Sequence, residues 1–561
     1  MMASYDIAMQ LDVKVPMRDG VRLSADIYRP RAAPPVPAVL IRTPYSNNTD
    51  GLIEQGRRLA AAGYACVIQD CRGRWDSDGE FYPFREAEDG YDTQEWVGRQ
   101  PWCNGKLGTV GASYLGMVQW TAAPLRNSHL ACMAPRVMSP DFHGGVAYPG
   151  GAFQLGVMLT WGMRTNARTG QSIDYHNWTE AFHSLPVIAL DEAAGREVGF
   201  WKDWVRHPVF DDYWRGLADP EPYAEIAAPA YVMGGWYDLF VNDTFRAFTG
   251  MRRHGRATEA RRSRLIVGPW AHPLSASARV GEVDFGPQSL WDLDAEEQRW
   301  LDYWLKGEAN GVADEPPLKL FIMGAGEWRD EWEWPLTRTE WRTAYLDSGG
   351  GANTLRGDGR LAFAAPASDA ADHFTYDPRY PVQTVGGNNC CSPEIVPWGP
   401  YDQRGVEMRP DVLCYTSQPL AEDLEVTGPI ELVLHAATDG RDTDWTAKLV
   451  DVAPSGYAMN LCDGIIRARY RQGMTATALL EPGAVYEYRI EVGVTGNLFR
   501  AGHRIRLEVS SSNFPRFDRN PNTGKEFGVD RELRTAHQTV YHGPGHPSHL
   551  RLPVIPPRPS T

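Results

Sequence analysis

The stretch Leu107-Gly-Thr-Val-Gly-Ala-Ser113-Tyr-Leu-Gly116 decides the fold of the first half of the chain. Its apolar beginning predicts a buried strand over Leu107–Val110, and a helix follows directly at Tyr114–Ala123. Further strands are predicted upstream and downstream at 38–42, 65–69, 230–233 and 264–267, with helices at 53–62, 86–99 and 295–306. Strands that alternate with helices in this way predict an α/β fold, with a largely parallel sheet covered by helices on both faces.

Ser113 lies directly between the predicted strand and the predicted helix. A nucleophilic serine at such a position needs a tight, strained turn with small flanking residues, and its oxygen then projects above the sheet. The backbone N–H of Tyr114 would point toward a developing oxyanion, where the helix N-terminus adds partial positive charge. The general motif is G-x-S-x-G, whereas here Leu115 stands at the second glycine position and Gly116 follows it. The motif alone therefore leaves an ordinary strand-to-helix turn open.

Two polar residues follow the later strands at positions that would complete a catalytic triad. Asp238 ends Gly234-Gly-Trp-Tyr-Asp238, and His272 ends Gly268-Pro-Trp-Ala-His272. Open α/β sheets place their sites at the carboxyl ends of strands, and the order serine, acid, histidine is typical of one class of hydrolases. We therefore predict Ser113 as nucleophile, His272 as general base and Asp238 as the acid that orients it. Asp243 is a weaker competitor, because Asp238 is closer to the end of its strand.

The chain has 561 residues, which is too long for one hydrophobic core of roughly 250–300 residues. The segment 141–223 is rich in Trp, Gly and His with weak helical periodicity, and we interpret it as an inserted helical cap. Beyond about Gly350 apolar residues alternate with polar ones, which predicts a β-sandwich. The predicted domains are a core at 1–140 and 224–350, the cap at 141–223, and the sandwich at 351–561. The boundary is placed in the glycine-rich stretch Asp347–Ala352.

Composition and charge argue against several other functions. The net charge of −15 is unsuited to general binding of nucleic acid or anionic membranes. No run of about 18 apolar residues could span a bilayer, and the first residues lack the pattern of a signal peptide. The 8 cysteines include no C-x-x-C pair, although Cys390 and Cys391 are adjacent. We therefore expect a cytoplasmic protein with a small-molecule substrate and with no metal and no cofactor; a homodimer is left open.

Taken together, the motifs resemble the cocaine-esterase and X-Pro dipeptidyl-peptidase family of serine hydrolases (CocE/NonD, peptidase family S15). The resemblance runs nearly from end to end of the chain. Beside the serine, acid and histidine motifs, it is carried by Val15-Pro-Met-Arg-Asp-Gly-Val21, Arg42-Thr-Pro-Tyr45, Gln69-Asp-Cys-Arg-Gly73, Arg409-Pro-Asp-Val412 and Ser510-Ser-Ser-Asn-Phe-Pro515. The resemblance implies an α/β-hydrolase core with an inserted helical cap, followed by a C-terminal jelly roll.

The resemblance also implies roles for residues that the pattern alone leaves undecided. Tyr45 corresponds to the phenol that serves the family as second oxyanion donor, beside the N–H of Tyr114. Gln55, Trp161 and Phe240 match family positions near the acyl pocket. We therefore add these residues to the predicted site.

Two segments differ from the family pattern, at 147–151 in the cap and at 387–392 in the jelly roll. A related branch, the α-amino-acid ester hydrolases, holds a substrate ammonium with carboxylates, some of which closely follow the catalytic acid. Here the residues that follow the acid, Leu239, Phe240 and Val241, are apolar. We therefore expect no strong preference for α-amino acyl groups.

The predicted function is hydrolysis of aryl or alkyl esters with an apolar acyl group, through an acyl-enzyme on Ser113. The first alternative is an X-Pro dipeptidyl-peptidase or amidase, which needs an anionic anchor for a free N-terminus. The cap offers Asp174, Glu180 and Asp191 for that role. The second alternative is a non-catalytic carbohydrate-binding protein that uses the sandwich; the order of the triad residues argues against it.

Overall fold

The first part of the chain forms one large sheet. The computed structural model describes residues 6–31, 33–174 and 176–557. Its strands up to residue 331 are β1 Ile7–Pro16, β2 Arg22–Pro30, β3 Val36–Thr43, β4 Ala65–Asp70, β5 Cys103–Ala112, β6 Leu130–Arg136, β7 Tyr231–Gly235, β8 Arg264–Gly268, β9 Arg279–Val280, β10 Val283–Asp284, β11 Leu318–Ile322 and β12 Glu327–Glu331. In the described chain, β9 pairs with β10 alone, and the others form a 10-stranded sheet in the order β1-β2-β4-β3-β5-β6-β7-β8-β11-β12.

The centre of this sheet, from β4 to β11, is parallel. All residues of β4, β7 and β8 are buried, as expected for short parallel strands that are covered on both faces. β1 and β2 add to one side and β12 to the other in antiparallel orientation. The predicted α/β class is confirmed. Since the central strands are parallel, the loops after β5, β7 and β8 emerge at one edge of the sheet.

Helices cover the sheet and form the cap. They are α1 Asp50–Ala61, α2 Ala87–Gly98, α3 Tyr114–Ala122, α4 Leu155–Thr165, α5 Trp178–His183, α6 Leu190–Ala193, α7 Trp201–Arg206, α8 Asp212–Arg215, α9 Val241–His254, α10 Leu293–Leu301 and α11 Arg404–Glu407. The helices predicted at 53–62, 86–99 and 114–123 coincide with α1, α2 and α3 to within a few residues. The helix predicted at 295–306 begins as α10 and ends in a π-helical turn over Asp302–Lys306.

Helices α4 to α8 occupy the segment that the sequence assigns to a cap. Most of them are too short to show a helical repeat, since α6 and α8 have 4 residues each. Large aromatic side chains pack the segment instead: Trp201, Trp204 and Trp214 are at most 1% exposed. No helix in the described parts of the chain is long and apolar enough to cross a membrane.

The C-terminal domain is all β. Its strands are β13 Glu340–Asp347, β14 Arg360–Ala362, β15 Ala370–Tyr376, β16 Leu413–Thr416, β17 Leu424–Thr438, β18 Asp444–Val452, β19 Ala458–Arg467, β20 Tyr486–Phe499, β21 Arg504–Ser510, β22 Ala536–His542 and β23 His549–Ile555. They are mostly antiparallel, in the order β15-β22-β17-β23-β13-β14-β16-β21-β18-β19, with β20 paired to β17. β19 packs against β20, so the path of strands curls back on itself as in a jelly roll. The first strand of this sheet, β13, precedes the glycine-rich stretch Asp347–Ala352.

The C-terminal domain docks on the core beside the loop that follows β7. The N–H of Met323 donates to the carbonyl of Gly496 at 2.8 Å, and the N–H of Leu498 donates to Met323 at 2.7 Å. The ring of Trp236 lies against Gly496, where an added Cβ would approach ring atom Cζ2 to 2.7 Å. Trp236 is fully buried, and its indole N–H donates to the carbonyl of Phe321 at 2.7 Å. The ring therefore has little freedom to move away.

A Gly496→Ala substitution should destabilise this contact, because the methyl group would overlap a ring that is fixed by burial and a hydrogen bond. We expect the free energy of unfolding to fall by about 1–3 kcal/mol, the usual cost of overpacking. Chemical denaturation followed by tryptophan fluorescence measures the change. The matched control is Gly405→Ala in the same domain, where an added Cβ meets nothing within 4 Å. Equal stability of the two variants would contradict the proposed packing.

Candidate active site

Ser113 occupies a strained turn between β5 and α3. Its backbone angles, φ 59° and ψ −126°, are rare for a residue with a side chain. Because β5 runs to Ala112 and α3 begins at Tyr114, one residue makes the turn from strand to helix. The N–H of Ser113 donates to the carbonyl of Arg136 at 2.9 Å, which ties the turn to β6. A strained residue held in this way by its surroundings is typical of a nucleophile elbow.

The position of the second glycine explains the departure from G-x-S-x-G. A Cβ at Gly116 would lie 2.9 Å from the carbonyl oxygen of Arg136 and 3.0 Å from Cβ of Met138. Helix α3 therefore approaches the end of β6 most closely at Gly116, whereas the side chain of Leu115 packs into the core. Gly111 is required for another reason, since its φ is 143° and a Cβ there would lie 2.5 Å from Leu115. The small residues needed by the elbow are thus at 111 and 116.

Asp238 and His272 are joined at the same edge of the sheet. His272 Nδ1 and Asp238 Oδ1 are 2.7 Å apart, and the carboxylate is fully buried. Because a carboxylate only accepts, the imidazole carries its proton on Nδ1 and keeps Nε2 as an acceptor. That is the tautomer which a general base needs. The other oxygen of Asp238 accepts from the N–H of Phe240 at 3.2 Å.

The two candidate acids have different partners. Asp243 lies in the first turn of α9 and accepts from Arg246 Nη1 at 2.7 Å. Only Asp238 is bonded to His272 among the carboxylates in the described chain. The backbone of Asp238 is in turn held by the C-terminal domain, because the side-chain amide of Asn388 donates to its carbonyl at 3.1 Å.

Tyr45 and Tyr114 line the same pocket as Ser113. The indole N–H of Trp161 donates to the phenol oxygen of Tyr45 at 2.8 Å, so the phenol proton is left for another acceptor. Burial raises the pKa of Tyr45 to about 12, which keeps the phenol protonated near neutral pH. Tyr114 begins α3, so its backbone N–H has no acceptor within the helix. Its side chain is fixed by a hydrogen bond from its hydroxyl to Glu86 at 3.1 Å.

Ser113 opens into a small apolar pocket built by all three parts of the molecule. The pocket is lined by Tyr45, Phe84, Ser113, Tyr114, Met117, Val146, Val157, Met158, Trp161, Phe240, Cys390 and Cys391. Trp161 and Phe240 are therefore brought to the pocket, as the sequence predicted. Gln55 is not brought there: it lies on α1, and its side-chain amide donates to Glu297 at 3.4 Å.

Cys390 and Cys391, to which the sequence analysis gave no role, form one wall of the pocket. They are joined by a disulfide between adjacent residues. Their sulfurs and a ring nitrogen of His272 lie within 4.8 Å of one another. Their role was not predicted, because adjacency of two cysteines does not by itself indicate a site.

Ser113 and His272 are not hydrogen-bonded to each other in the described chain, although their surroundings overlap. Phe240 lines the pocket with Ser113, and its ring centroid is 5.9 Å from that of His272. Hydrogen bonds between catalytic groups are often long in a free enzyme and shorten in the complex with substrate. A side-chain rotation that brings Ser113 and His272 into hydrogen-bond contact is therefore part of the predicted mechanism.

The strained serine, the Asp–His pair at the same sheet edge and the buried phenol define a serine hydrolase of the α/β-hydrolase type. Comparison with known proteins gives the family. Residues 19–273 match the model of X-Pro dipeptidyl-peptidase (S15 family), and residues 310–551 match that of the X-Pro dipeptidyl-peptidase C-terminal non-catalytic domain. The chain belongs to this CocE/NonD family of serine hydrolases, and it is an enzyme.

Individual relatives cover nearly the whole chain. It is 38% identical to the cocaine esterase of Rhodococcus sp. (strain MB1 Bresler), over 98% of this chain and 99% of that protein. A putative serine esterase of Mycobacterium bovis is 26% identical, over 97% of this chain and 95% of the relative. Among solved structures, an aminopeptidase from a marine sediment Thaumarchaeota archaeon has a TM-score of 0.87 and 27% identity, covering 98% of this chain and 97% of that one. An α-amino acid ester hydrolase has a TM-score of 0.82 and 26% identity, covering 99% and 97%.

The two candidate acids can be separated by substitution. Asp238→Asn should lower kcat by about 10⁴-fold, because an amide no longer holds the imidazole in its working tautomer. Asp243→Asn should keep kcat near that of the parent enzyme and cost about 1 kcal/mol or less of stability, through the partly exposed pair with Arg246. Steady-state hydrolysis of p-nitrophenyl butyrate measures both. If kcat fell further in the Asp243 variant than in the Asp238 variant, Asp243 would be the acid of the triad.

Proposed function

We propose that Ser113, His272 and Asp238 carry out ester hydrolysis, with the phenol of Tyr45 and the N–H of Tyr114 as oxyanion donors. His272 Nε2 takes the proton of Ser113 as its oxygen attacks the ester carbonyl. The oxyanion of the tetrahedral intermediate accepts from both donors, and His272 then gives the proton to the departing alcohol. Water attacks the acyl-enzyme by the same route, with His272 as base, and releases the acid and free Ser113.

The proposed substrate class rests on one observation: the described pocket wall contains no charged side chain. Every described residue that lines the pocket beside Ser113 is aliphatic, aromatic, sulfur-containing or a hydroxyl. Phe84, Tyr114 and Trp161 stack with interplanar angles of 8° to 24° and give one side a flat aromatic surface. Such a wall favours an apolar acyl group and offers an ammonium ion no carboxylate as a partner. We therefore propose aryl or alkyl esters with an apolar acyl group as substrates; the relative named cocaine esterase supports the choice of esters.

The peptidase alternative lacks an anchor for a free N-terminus in the described pocket. Asp174 and Glu180 are exposed and bonded locally, to Ser172 and to the turn at Asn177. Asp191 is buried, where it accepts from the N–H of Val198 at 2.8 Å. None of these three carboxylates lines the pocket beside Ser113. The carbohydrate-binding alternative is not favoured, because a non-catalytic protein that binds sugar through its sandwich domain would not use the Asp238–His272 pair.

A cytoplasmic location is also proposed. The remaining cysteines, Cys66, Cys71, Cys103, Cys132, Cys414 and Cys462, are free and buried. Unpaired thiols in this number are usual for proteins that fold in a reducing compartment.

The nucleophile is tested with Ser113→Ala. We expect this variant to fold normally, to lose ester hydrolysis down to the background rate, and to resist a fluorophosphonate probe that adds once to the parent chain. Mass spectrometry locates the adduct, and circular dichroism checks the fold. Ser172→Ala, at an exposed serine of the cap, is the matched control and should be labelled like the parent enzyme. Labelling or turnover in the Ser113 variant would refute the proposal.

The substrate class is tested by comparing methyl phenylacetate with the methyl ester of phenylglycine, which differs by one amino group. We expect kcat/KM to be at least about tenfold higher for the phenylacetate, because an ammonium ion loses hydration in the uncharged pocket. The ratio of the two kcat/KM values should fall above the pKa of that ammonium, because the amine is then uncharged. If the difference were steric, the ratio would not depend on pH. An advantage for the amino ester, or faster cleavage of Ala-Pro-p-nitroanilide than of p-nitrophenyl butyrate, would overturn the assignment.

A further inference from the structure

A disulfide of adjacent cysteines lies beside the imidazole that the proposed mechanism uses. The sulfurs of Cys390 and Cys391 and one ring nitrogen of His272 lie within 4.8 Å of one another. Because Nδ1 is bonded to Asp238 at 2.7 Å, Nε2 is the nitrogen left for a further ligand. The two sulfurs thus lie beside the imidazole that acts as base in the proposed ester hydrolysis, on which this inference partly rests.

The disulfide contributes little to the stability of the fold. A disulfide stabilises mainly by restricting the unfolded chain, and the effect grows with the length of the closed loop. Residues 390 and 391 are neighbours in sequence, so the loop that they close is the shortest one available. This argues for a role in the chemistry of the pocket wall rather than in the stability of the fold.

Other contacts hold this segment in place whether or not the sulfurs are joined. The side-chain amide of Asn388 donates to the carbonyls of Trp236 at 2.8 Å and Asp238 at 3.1 Å. The amide of Asn389 donates to the carbonyls of Gly386 and Pro397 at 2.9 and 2.7 Å. From the cap, Arg164 donates to the carbonyl of Cys391 at 3.3 Å. Reduction would therefore leave two thiols at their present place in the site.

Two thiols and an imidazole nitrogen are the ligands that soft divalent cations prefer. In a tetrahedral zinc site, Zn–S distances of about 2.3 Å and Zn–N distances of about 2.0 Å put ligand atoms roughly 3.5–3.8 Å apart. The three atoms already lie within 4.8 Å, so small side-chain rotations suffice. Three protein ligands leave a fourth position for water.

We propose that reduction of the Cys390–Cys391 disulfide creates a site for a thiophilic divalent cation such as Zn²⁺ or Cd²⁺, with His272 Nε2 as third ligand. A phosphine reductant supplies two electrons, the S–S bond breaks, and water gives its oxygen to the phosphine and its protons to the sulfurs. Binding of the cation then releases both thiol protons to solvent and forms two metal–sulfur bonds. The occupied site withholds Nε2 from Ser113, so that ester hydrolysis stops.

The cation site is tested on the full chain with Cd²⁺ as probe. Protein is reduced with tris(2-carboxyethyl)phosphine, desalted without oxygen and titrated while the ultraviolet cadmium–thiolate band is recorded. We expect one equivalent of Cd²⁺ to bind the reduced chain and none to bind the oxidised chain, a comparison that needs no variant. Cys390→Ser/Cys391→Ser should abolish the band, and Cys103→Ser, at a cysteine outside the pocket, should retain it. His272→Ala should keep the band but bind at least about tenfold more weakly, because one ligand is lost.

Activity provides the second arm of the experiment. Cd²⁺ should inhibit p-nitrophenyl butyrate hydrolysis by the reduced parent enzyme, a chelator should restore it, and the double serine variant should not respond to the cation. Absence of the band in the reduced parent, or its persistence in the double variant, would overturn the cation site even if the enzyme hydrolyses esters. A band that forms normally in an enzyme without ester hydrolysis would instead overturn the proposed function alone.

Discussion

The loop after β7 is held from three directions, and the arrangement of the site depends on it. Trp236 is fixed to β11 through the carbonyl of Phe321 and packs against Gly496 of the C-terminal domain. The N–H of Tyr237 donates to Trp270 beside β8, and its hydroxyl donates to the carbonyl of Asn460 at 3.0 Å. Asp238 is therefore fully buried with its backbone already immobilised. Burying a carboxylate is costly unless its partners are fixed in this way. The position of Asp238 therefore depends on the docking of the C-terminal domain as well as on the core.

The central sheet could be predicted because its strands are short apolar runs bounded by polar turns. Such runs identify β3, β4, β5, β7 and β8, although not β6, and they place Ser113, Asp238 and His272 at strand ends. The edge strand β1 could not be predicted in the same way, since most of its residues are partly or fully exposed. The individual helices of the cap could not be predicted, because helices such as α6 and α8 have only 4 residues each and are too short to show a periodicity.

The pocket wall could not be predicted from local pattern at all. Asn388 binds the backbone of Asp238 across a sequence separation of 150 residues. Cys390 and Cys391 face His272 because the C-terminal domain docks there, and no spacing in the sequence records which loop meets which. Gln55 shows the opposite case: its family position suggested the pocket, whereas its side chain is engaged by Glu297 on α10. The sequence of a helix or strand predicts that element through its periodicity. Contacts between loops that are distant in sequence depend on how the domains pack.

The wall of the pocket comes from the last third of the chain, and this has a consequence for the order of synthesis. A chain grows from its amino terminus, so Ser113, Asp238 and His272 leave the ribosome well before Cys390 and the strand that carries Gly496. A half-made chain holds its nucleophile without an enclosing wall and its acid without the docking contacts that fix it. A chain that ends before residue 388 would contain all three proposed catalytic residues but would lack both the contacts of Asn388 and the wall formed by Cys390 and Cys391.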